Sequence, residues 1–424
     1  MRRNLAIILS LILFLFSLGA ASIDKDLITV RDDLFESQYE LDNFNCKNET
    51  ELTQNDIDFY EKTNIYLLTG GPGSLVWENF GHSAFVVELP SKEEISFDYG
   101  IFSFDDSFYK NFALGRLYYS VMISYAKNRV DQLINEDRSV FLLELELTPV
   151  EKFSLLSFLQ YNVQSENQTY LYNYYSDNCA TRLRDSYNAF TGGDFKFWAE
   201  NIEAPNTLRE YTKRYLSRSS FPVDWAINYL LGPNVDKRIT LWDAMFLPDV
   251  LSSAISSYQQ NETQTIYESK TRKETPISYN FFLRSLIFSI VLSIPILLLT
   301  SKSRIIRQIC DILIASIYFV LGVMSLALLF LMCSSIHDVT YFNENILILN
   351  PILLALSILH LVALGKKEKR KGIAKLSFIL LVFSLGILAI KIVLIDYMIE
   401  ENLEYYILAI ILYSSDFIIN KRIS

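Results

Sequence analysis

Apolar and polar positions are distributed in blocks along the chain. From Tyr279 onward, five apolar runs at about 279–300, 309–333, 346–364, 373–395 and 403–420 approach or reach the roughly 20 residues that a helix needs to cross a hydrocarbon core. The last is the shortest. A further run, Leu5 to Leu18, follows Arg2 and Arg3 and ends in Gly19, Ala20, Ala21 and Ser22, the pattern of a secretory signal. Residues 1–22 are therefore read as a signal peptide, cleaved or retained as an anchor. In either case the segment after it is exported.

Between these blocks the pattern is that of a folded domain, residues 23–278. Residues 23–62 are polar and acidic and suggest helix or loop. Residues 65–69 (IYLLT) predict a short strand running into a turn-rich loop at Gly70, Gly71, Pro72 and Gly73. The run SAFVVEL predicts a strand with His82 at its mouth, and the alternation in 94–101 (EISFDYGI) predicts its hairpin partner. Val140 to Leu147 reads as another strand. It ends at Thr148, which would cap a helix with Pro149 in its first position and Leu155 and Leu159 on its buried face. From Ala180 a second helix places Leu183 and Tyr187 together. The expected fold is mixed α+β with a small sheet. Residues 258–276, rich in Gln, Thr and Lys, read as a polar stalk before the first span.

Charge then fixes a topology. The loops between the apolar runs alternate between basic (Lys302, Arg304, Arg307; then Lys366, Lys367, Lys369, Arg370, Lys371; then Lys421, Arg422) and acidic (Asp338, Glu344; then Asp396, Glu400, Glu401). By the positive-inside rule the basic loops lie in the cytoplasm, and residues 23–278 with the acidic loops lie outside. An odd number of spans agrees with an exported N-terminal domain. Composition supports a membrane protein, with 51% hydrophobic and 20% charged residues. The net charge is −10; residues 279–424 contribute +4 (13 Lys+Arg against 9 Asp+Glu) and Arg2 and Arg3 +2, so residues 23–278 carry −16. So acidic a domain is a poor match for a phosphate backbone, which argues against nucleic acid as a partner. With 3 His and 4 Cys, a rich metal site is not expected, nor is any cofactor.

Candidate chemistry centres on cysteine. Cys310 and Cys333 fall inside predicted spans, where a small packing role is the default. An exported Cys46–Cys179 disulfide is a serious alternative to a reactive thiol. Context favours the thiol. Cys179 stands where a loop enters a helix, and free N–H groups at a helix start favour thiolate. Arg182 and Arg184 add positive potential. His82 is the one histidine of residues 23–278. A thiol nucleophile needs a base within reach and a third group to orient the imidazole; Asp98 is the candidate for that role, with Glu78 as runner-up.

The stretches FGHSAF (80–85), FDYGIFSFDDSFYKNFALGRLYY (97–119), YLYNYYSDNCATRLRD (170–185), LGPNVDKRITLWDAMFLPDVL (231–251) and IHDVTYFNENILILNPI (336–352) resemble the bacterial lipoprotein N-acyltransferase Lnb family. The resemblance covers most of residues 60–350, while the last spans match only in hydrophobicity. It implies a circularly permuted papain-like (NlpC-type) extracytoplasmic domain, in which the His strand precedes the Cys helix, followed by a bundle of about five transmembrane helices. It also implies a thiol acyltransferase of the bacterial inner membrane, with a phospholipid as acyl donor and a diacylglyceryl-cysteine lipoprotein N-terminus as acceptor.

On that reading Cys179, His82 and Asp98 are catalytic. Backbone N–H groups at the Cys179 helix start, with one from the Gly70–Gly73 loop, are candidates to hold the oxyanion. Arg182 and Arg184 are candidates to bind the donor phosphate, although pairing with Asp185 or another carboxylate explains them equally well. Asn178, Glu78 and His337 complete the expected substrate-binding set, with Asn343, Asn345 and Asn350 as weaker candidates. The aromatic residues Tyr172, Tyr174, Tyr175, Phe102, Phe104, Phe108 and Tyr109 are expected to be mainly core, some facing the membrane interface. Two other readings remain open: a papain-like cell-wall peptidase or amidase with water as acceptor, and a non-enzymatic membrane-anchored binding protein with Cys46 and Cys179 bridged.

Overall fold

The computed structural model describes residues 52–219, 221–272, 281–364, 366–394 and 400–424. The expected signal peptide and Cys46 lie outside the described residues. The described chain divides into two compact units, one built from residues up to 219 together with 238–272, the other from 221–237 together with the C-terminal helices.

The first unit is built on a seven-stranded antiparallel sheet in the order β6-β4-β3-β2-β1-β5-β7. Its strands are β1 (Asn64–Gly70), β2 (His82–Glu88), β3 (Glu94–Ile101), β4 (Tyr118–Tyr125), β5 (Val140–Glu144), β6 (Thr169–Leu171) and β7 (Gln264–Tyr267). Five helices cover the sheet or border the site: α1 (Phe108–Leu114), α2 (Ala126–Asn135), α3 (Pro149–Asn162), α4 (Cys179–Phe190) and α5 (Pro248–Gln259).

The expected strands and their hairpin are present; β2 pairs with β3 from Glu88↔Glu94 to Ala84↔Asp98. The sheet is larger than the sequence suggests. β4 and β6 extend it on one side, and β7, within the stretch read as a stalk, pairs with β5 on the other. β7 is a short edge strand, largely exposed, so it lacks the apolar alternation that marks a half-buried strand.

Both faces of the sheet's centre are covered, which is why β2 reads as a continuous apolar run. Phe85, Val87, Phe97 and Tyr99 pack with Leu155 and Leu159 of α3, Leu183 and Tyr187 of α4, and Leu251 and Ile255 of α5. On the opposite face Ala84 and Val86 pack with Ala126 and Leu133 of α2. α3 begins as its sequence dictates: the Thr148 hydroxyl accepts from Glu151 N–H, the Glu151 carboxylate accepts from Thr148 N–H at 2.7 Å, and Pro149 takes the first turn.

In the second unit all five expected apolar runs are helical: α6 (Phe281–Leu298), α7 (Arg304–Ser334), α8 (Leu353–Ala363, preceded by a single turn at Asn345–Ile348), α9 (Arg370–Val393) and α10 (Leu403–Ile423). Four of these stretches are long and apolar enough to cross a membrane; the apolar part of α6, Phe282–Leu298, is shorter. The run 221–237 packs with them. Trp225 and Tyr229 of the helix Val223–Leu230 join the helix core, Tyr229 OH donates to Leu349 O at 2.8 Å, and Gly232 N–H donates to Val339 O at 2.7 Å.

A buried ionic network joins α7, α8, α9 and α10. His360 lies between Asp311 (Nδ1 to Oδ1, 3.0 Å) and Asp416 (Nε2 to Oδ1, 3.1 Å). Arg370 donates to Asp311 Oδ2 at 2.7 Å and to Asn420 Oδ1 at 2.8 Å, and Ser377 donates to Asp416 Oδ2 at 2.8 Å. All six residues are fully buried. In lipid such groups persist only when paired, and removing one partner strands a buried charge at a cost of about 3–5 kcal/mol. Arg370→Met should therefore lower the thermal unfolding midpoint of the full chain in detergent by several degrees. An unchanged midpoint would show that the network does not hold the bundle.

Candidate active site

The site is assembled by a turn, a bulge and a helix start, all in the first unit. Gly81 has φ of +83°, and a Cβ there would stand 2.8 Å from Gly70 O, so the turn into β2 requires glycine. That turn delivers His82 to the first position of β2, opposite Gly70. Asp98 sits on β3 opposite Ala84, one step along the same face from His82.

The His82 Nε2 lies 3.0 Å from Asp98 Oδ1. Asp98 is fully buried and held from two further sides: Arg129 Nε of α2 lies 2.7 Å from Oδ1, and Ser96 Oγ donates to Oδ2 at 2.5 Å. Burial alone would raise the Asp98 pKa; the bond and charge of His82, the charge of Arg129 and the Ser96 hydroxyl bring it below the usual carboxylate value.

Beyond Asp98 the β3–β4 register breaks between Asp98 and Ile101. Gly100 lies in this bulge with φ of +86°, and its ideal Cβ would be 3.6 Å from the Cys179 Cβ. Glycine is required here by the left-handed backbone of the bulge, and the start of α4 packs beside it at ordinary contact distance. Cys179 is the first residue of α4, and Asn178 is its cap. Asn178 Oδ1 accepts from Ala180 N–H (2.8 Å) and Thr181 N–H (2.9 Å), while its Nδ2 donates to Tyr174 O and Phe246 O, both at 2.9 Å. Thus Asn178 positions the cysteine by spending its whole amide on backbone. Among the described residues no acceptor takes the N–H of Cys179 itself, so it is available at the helix start to stabilise an oxyanion.

Among the described residues Cys179 is in no disulfide. Burial acts to raise its pKa, yet the hydrogen bond and charge of His82, with the N–H groups of Ser83 and Ala180, bring it below the ordinary thiol value. For His82, burial acts to lower the pKa, but hydrogen bonds to Asp98 and Cys179 raise it above the ordinary imidazole value, against a smaller opposing push from Arg129. With Nε2 turned to Asp98, Nδ1 is left for the thiol. The two shifts run in the directions that favour a thiolate–imidazolium pair.

The remaining expected residues of the first unit brace the backbone around this centre. Arg182 holds Asp177 through two bonds (2.6 and 2.9 Å), with its guanidinium 3.7 Å above the Tyr170 ring. Arg184 binds Asp185 (2.7 Å) and Trp242 O (2.8 Å). Both act within the fold here. Glu78 accepts from Ser74 N–H and Leu75 N–H at 2.9 Å and braces the loop after β1, where Gly73 leaves room for it. In that loop Gly71 N–H is bonded to Ser139 O and Gly73 N–H to Glu78 O, and Pro72 has none, so these residues offer no second oxyanion donor.

His337, Asn343, Asn345 and Asn350 belong to the second unit. His337 N–H bonds Ser335 Oγ (3.2 Å), Asn343 and Asn345 each donate to Tyr229 O (3.0 Å), and Asn350 accepts from Ile352 N–H (3.1 Å). Sequence reasoning missed Arg129 and Ser96. Ser96 could have been found, because it lies two residues from Asp98 on one strand and so shares its face; Arg129, one of many basic residues and distant in sequence, carried no signal.

The site and the helices define a multi-pass membrane protein bearing an α+β domain with a Cys-His-Asp centre. The family model described as Lnb N-terminal periplasmic domain matches residues 51–214, and the one described as Lnb transmembrane domain matches residues 277–420. The chain belongs to the Lnb family. No curated protein and no solved structure matches it.

The pKa directions give a direct test. The midpoint for reaction of Cys179 with iodoacetamide should lie below about pH 8.5, the ordinary thiol midpoint. In His82→Ala the largest lowering influences, the bond and charge of His82, are removed while burial remains, so the midpoint of the rate–pH profile should move upward. An unshifted profile in the variant would show that His82 does not set the thiol's protonation.

Proposed function

We propose that this protein is a lipoprotein N-acyltransferase that moves an acyl chain from a membrane phospholipid, through a Cys179 thioester, to the α-amine of a diacylglyceryl-cysteine lipoprotein N-terminus. The observation that carries the reading is the Cys179 thiol at a helix start, its pKa lowered by a neighbouring His82 that Asp98 orients, in a chain of the Lnb family with membrane-spanning helices. Membership of the family supports a bacterial inner-membrane location, and the loop charges support an orientation with residues 23–278 on the periplasmic side.

In the first half-reaction His82 holds the proton taken from Cys179, and the thiolate attacks the carbonyl carbon of a phospholipid ester. The Cys179 N–H stabilises the oxyanion. The C–O bond breaks, and His82 returns the proton to the departing lysophospholipid hydroxyl. In the second half the lipoprotein amine attacks the thioester and gives its proton to His82; the C–S bond breaks, and an amide and the free thiol remain. Asp98 keeps the imidazole turned toward the thiol throughout, and Arg129 and Ser96 keep Asp98 in place. Arg182, through Asp177, and Asn178 hold the start of α4.

Mass spectrometry of a lipoprotein from cells lacking their own N-acylating enzyme tests this. Expression of the intact protein should add a third acyl chain, and Cys179→Ser and His82→Ala should abolish the addition while the protein remains in the membrane. A lipoprotein that stays diacylated with intact protein present would overturn the reading, and release of peptidoglycan fragments would then identify a hydrolase.

A further inference from the structure

The aromatic segment after β3 has the composition of core, but much of it faces outward. α1 is strongly apolar (FYKNFAL), yet none of its residues is buried. Tyr109 is 75% exposed, Phe104 60%, Trp77 51% and Phe112 51%. Exposed aromatics gathered in this way are a recognised mark of an interaction surface.

These rings run from the exposed surface to Tyr172, which flanks Gly100 together with Cys179. The ideal Cβ of Gly100 lies 3.6 Å from the Cys179 Cβ and 3.9 Å from the Tyr172 ring. Tyr172 packs on Tyr119 (ring centroids 4.5 Å), Tyr119 stacks on Phe102 (4.8 Å), and Phe102 contacts Phe104 (5.3 Å) and Trp77 (6.2 Å). Phe104 in turn meets Phe108 (4.6 Å), which lies beside Tyr109 and Phe112.

We propose that this aromatic surface inserts into the bilayer interface and guides a lipid acyl chain to Cys179. The inference rests on the acyl-transfer reading for its chemistry. Its choice of occupant rests on two observations: the surface runs to Tyr172, which flanks Gly100 together with Cys179, and the same chain spans a membrane, so the surface works beside a bilayer. Trp and Tyr are the residues favoured at that depth, because an apolar ring with one polar atom matches a boundary that is apolar on one side and wet on the other.

The full-length protein is reconstituted in phosphatidylcholine vesicles with bromine on the acyl chains, beside Trp77→Phe. The emission that Trp77→Phe removes should be quenched by the brominated lipid. If that difference emission is equal in brominated and plain vesicles, Trp77 does not reach lipid and the proposal falls; a second copy or a peptide would then be the occupant. As a second readout, Tyr109→Asp/Phe112→Asp should lower the rate of Cys179 acylation by vesicle lipid at least tenfold relative to its rate of iodoacetamide alkylation. An unchanged ratio overturns the role in guiding the acyl chain. Quenching without any acylation of the wild-type chain would sink the acyl-transfer reading while leaving the membrane contact standing, so the two failures are distinguishable.

Discussion

The structure of the site depends on how closely a helix start can approach a strand. Cys179 opens α4 beside the bulge of β3 at Gly100, where a left-handed φ of +86° is strained for any residue but glycine. Every other feature of the centre serves that approach. Asn178 fixes the first turn of α4 by bonding two helix N–H groups and two distant carbonyls. Gly81 turns the chain so that His82 opens β2, and Asp98, braced by Arg129 and Ser96, turns the imidazole. A side chain at position 100 would meet the Cys179 Cβ at ordinary van der Waals distance; it is the left-handed φ of +86° that makes glycine the residue that fits there.

Much of this was legible in the sequence, and for identifiable reasons. The strand at His82, its hairpin partner carrying Asp98, the Thr148–Pro149 helix start and the helix at Cys179 each have local signals: β-branched runs, alternation and capping residues. The apolar blocks announced the membrane helices equally clearly. The edge strands were not legible, since β7 is exposed and β6 has only three residues. Partners joined by tertiary folding alone were also hidden. Arg129 meets Asp98 only because α2 crosses the sheet behind it, and the ionic network of Asp311, His360, Arg370 and Asp416 comes from four separate helices.

Arg182 pairs with Asp177 and Arg184 with Asp185, the carboxylate pairing that the sequence offered beside phosphate binding. Each guanidinium holds a neighbouring carboxylate and so braces the loop and helix presenting Cys179. From sequence the aromatic rings read as mainly core with some at the membrane interface, and which are which is not legible, because an aromatic residue has the same hydrophobicity whether it packs inside a protein or at a membrane surface. What distinguishes the two is whether anything covers the residue, and that information is not local.

The central claim is that Cys179 carries the acyl group in transit. Intact-mass analysis of the purified full-length protein, incubated with phospholipid vesicles and no amine acceptor, tests it most directly. The account predicts a mass increase of one fatty acyl group, mapped to the Cys179 peptide, removed by neutral hydroxylamine as a thioester is, and absent in Cys179→Ser. A protein that gains no acyl mass under conditions where it does N-acylate a lipoprotein once acceptor is added, or that gains the mass at another residue, would contradict it.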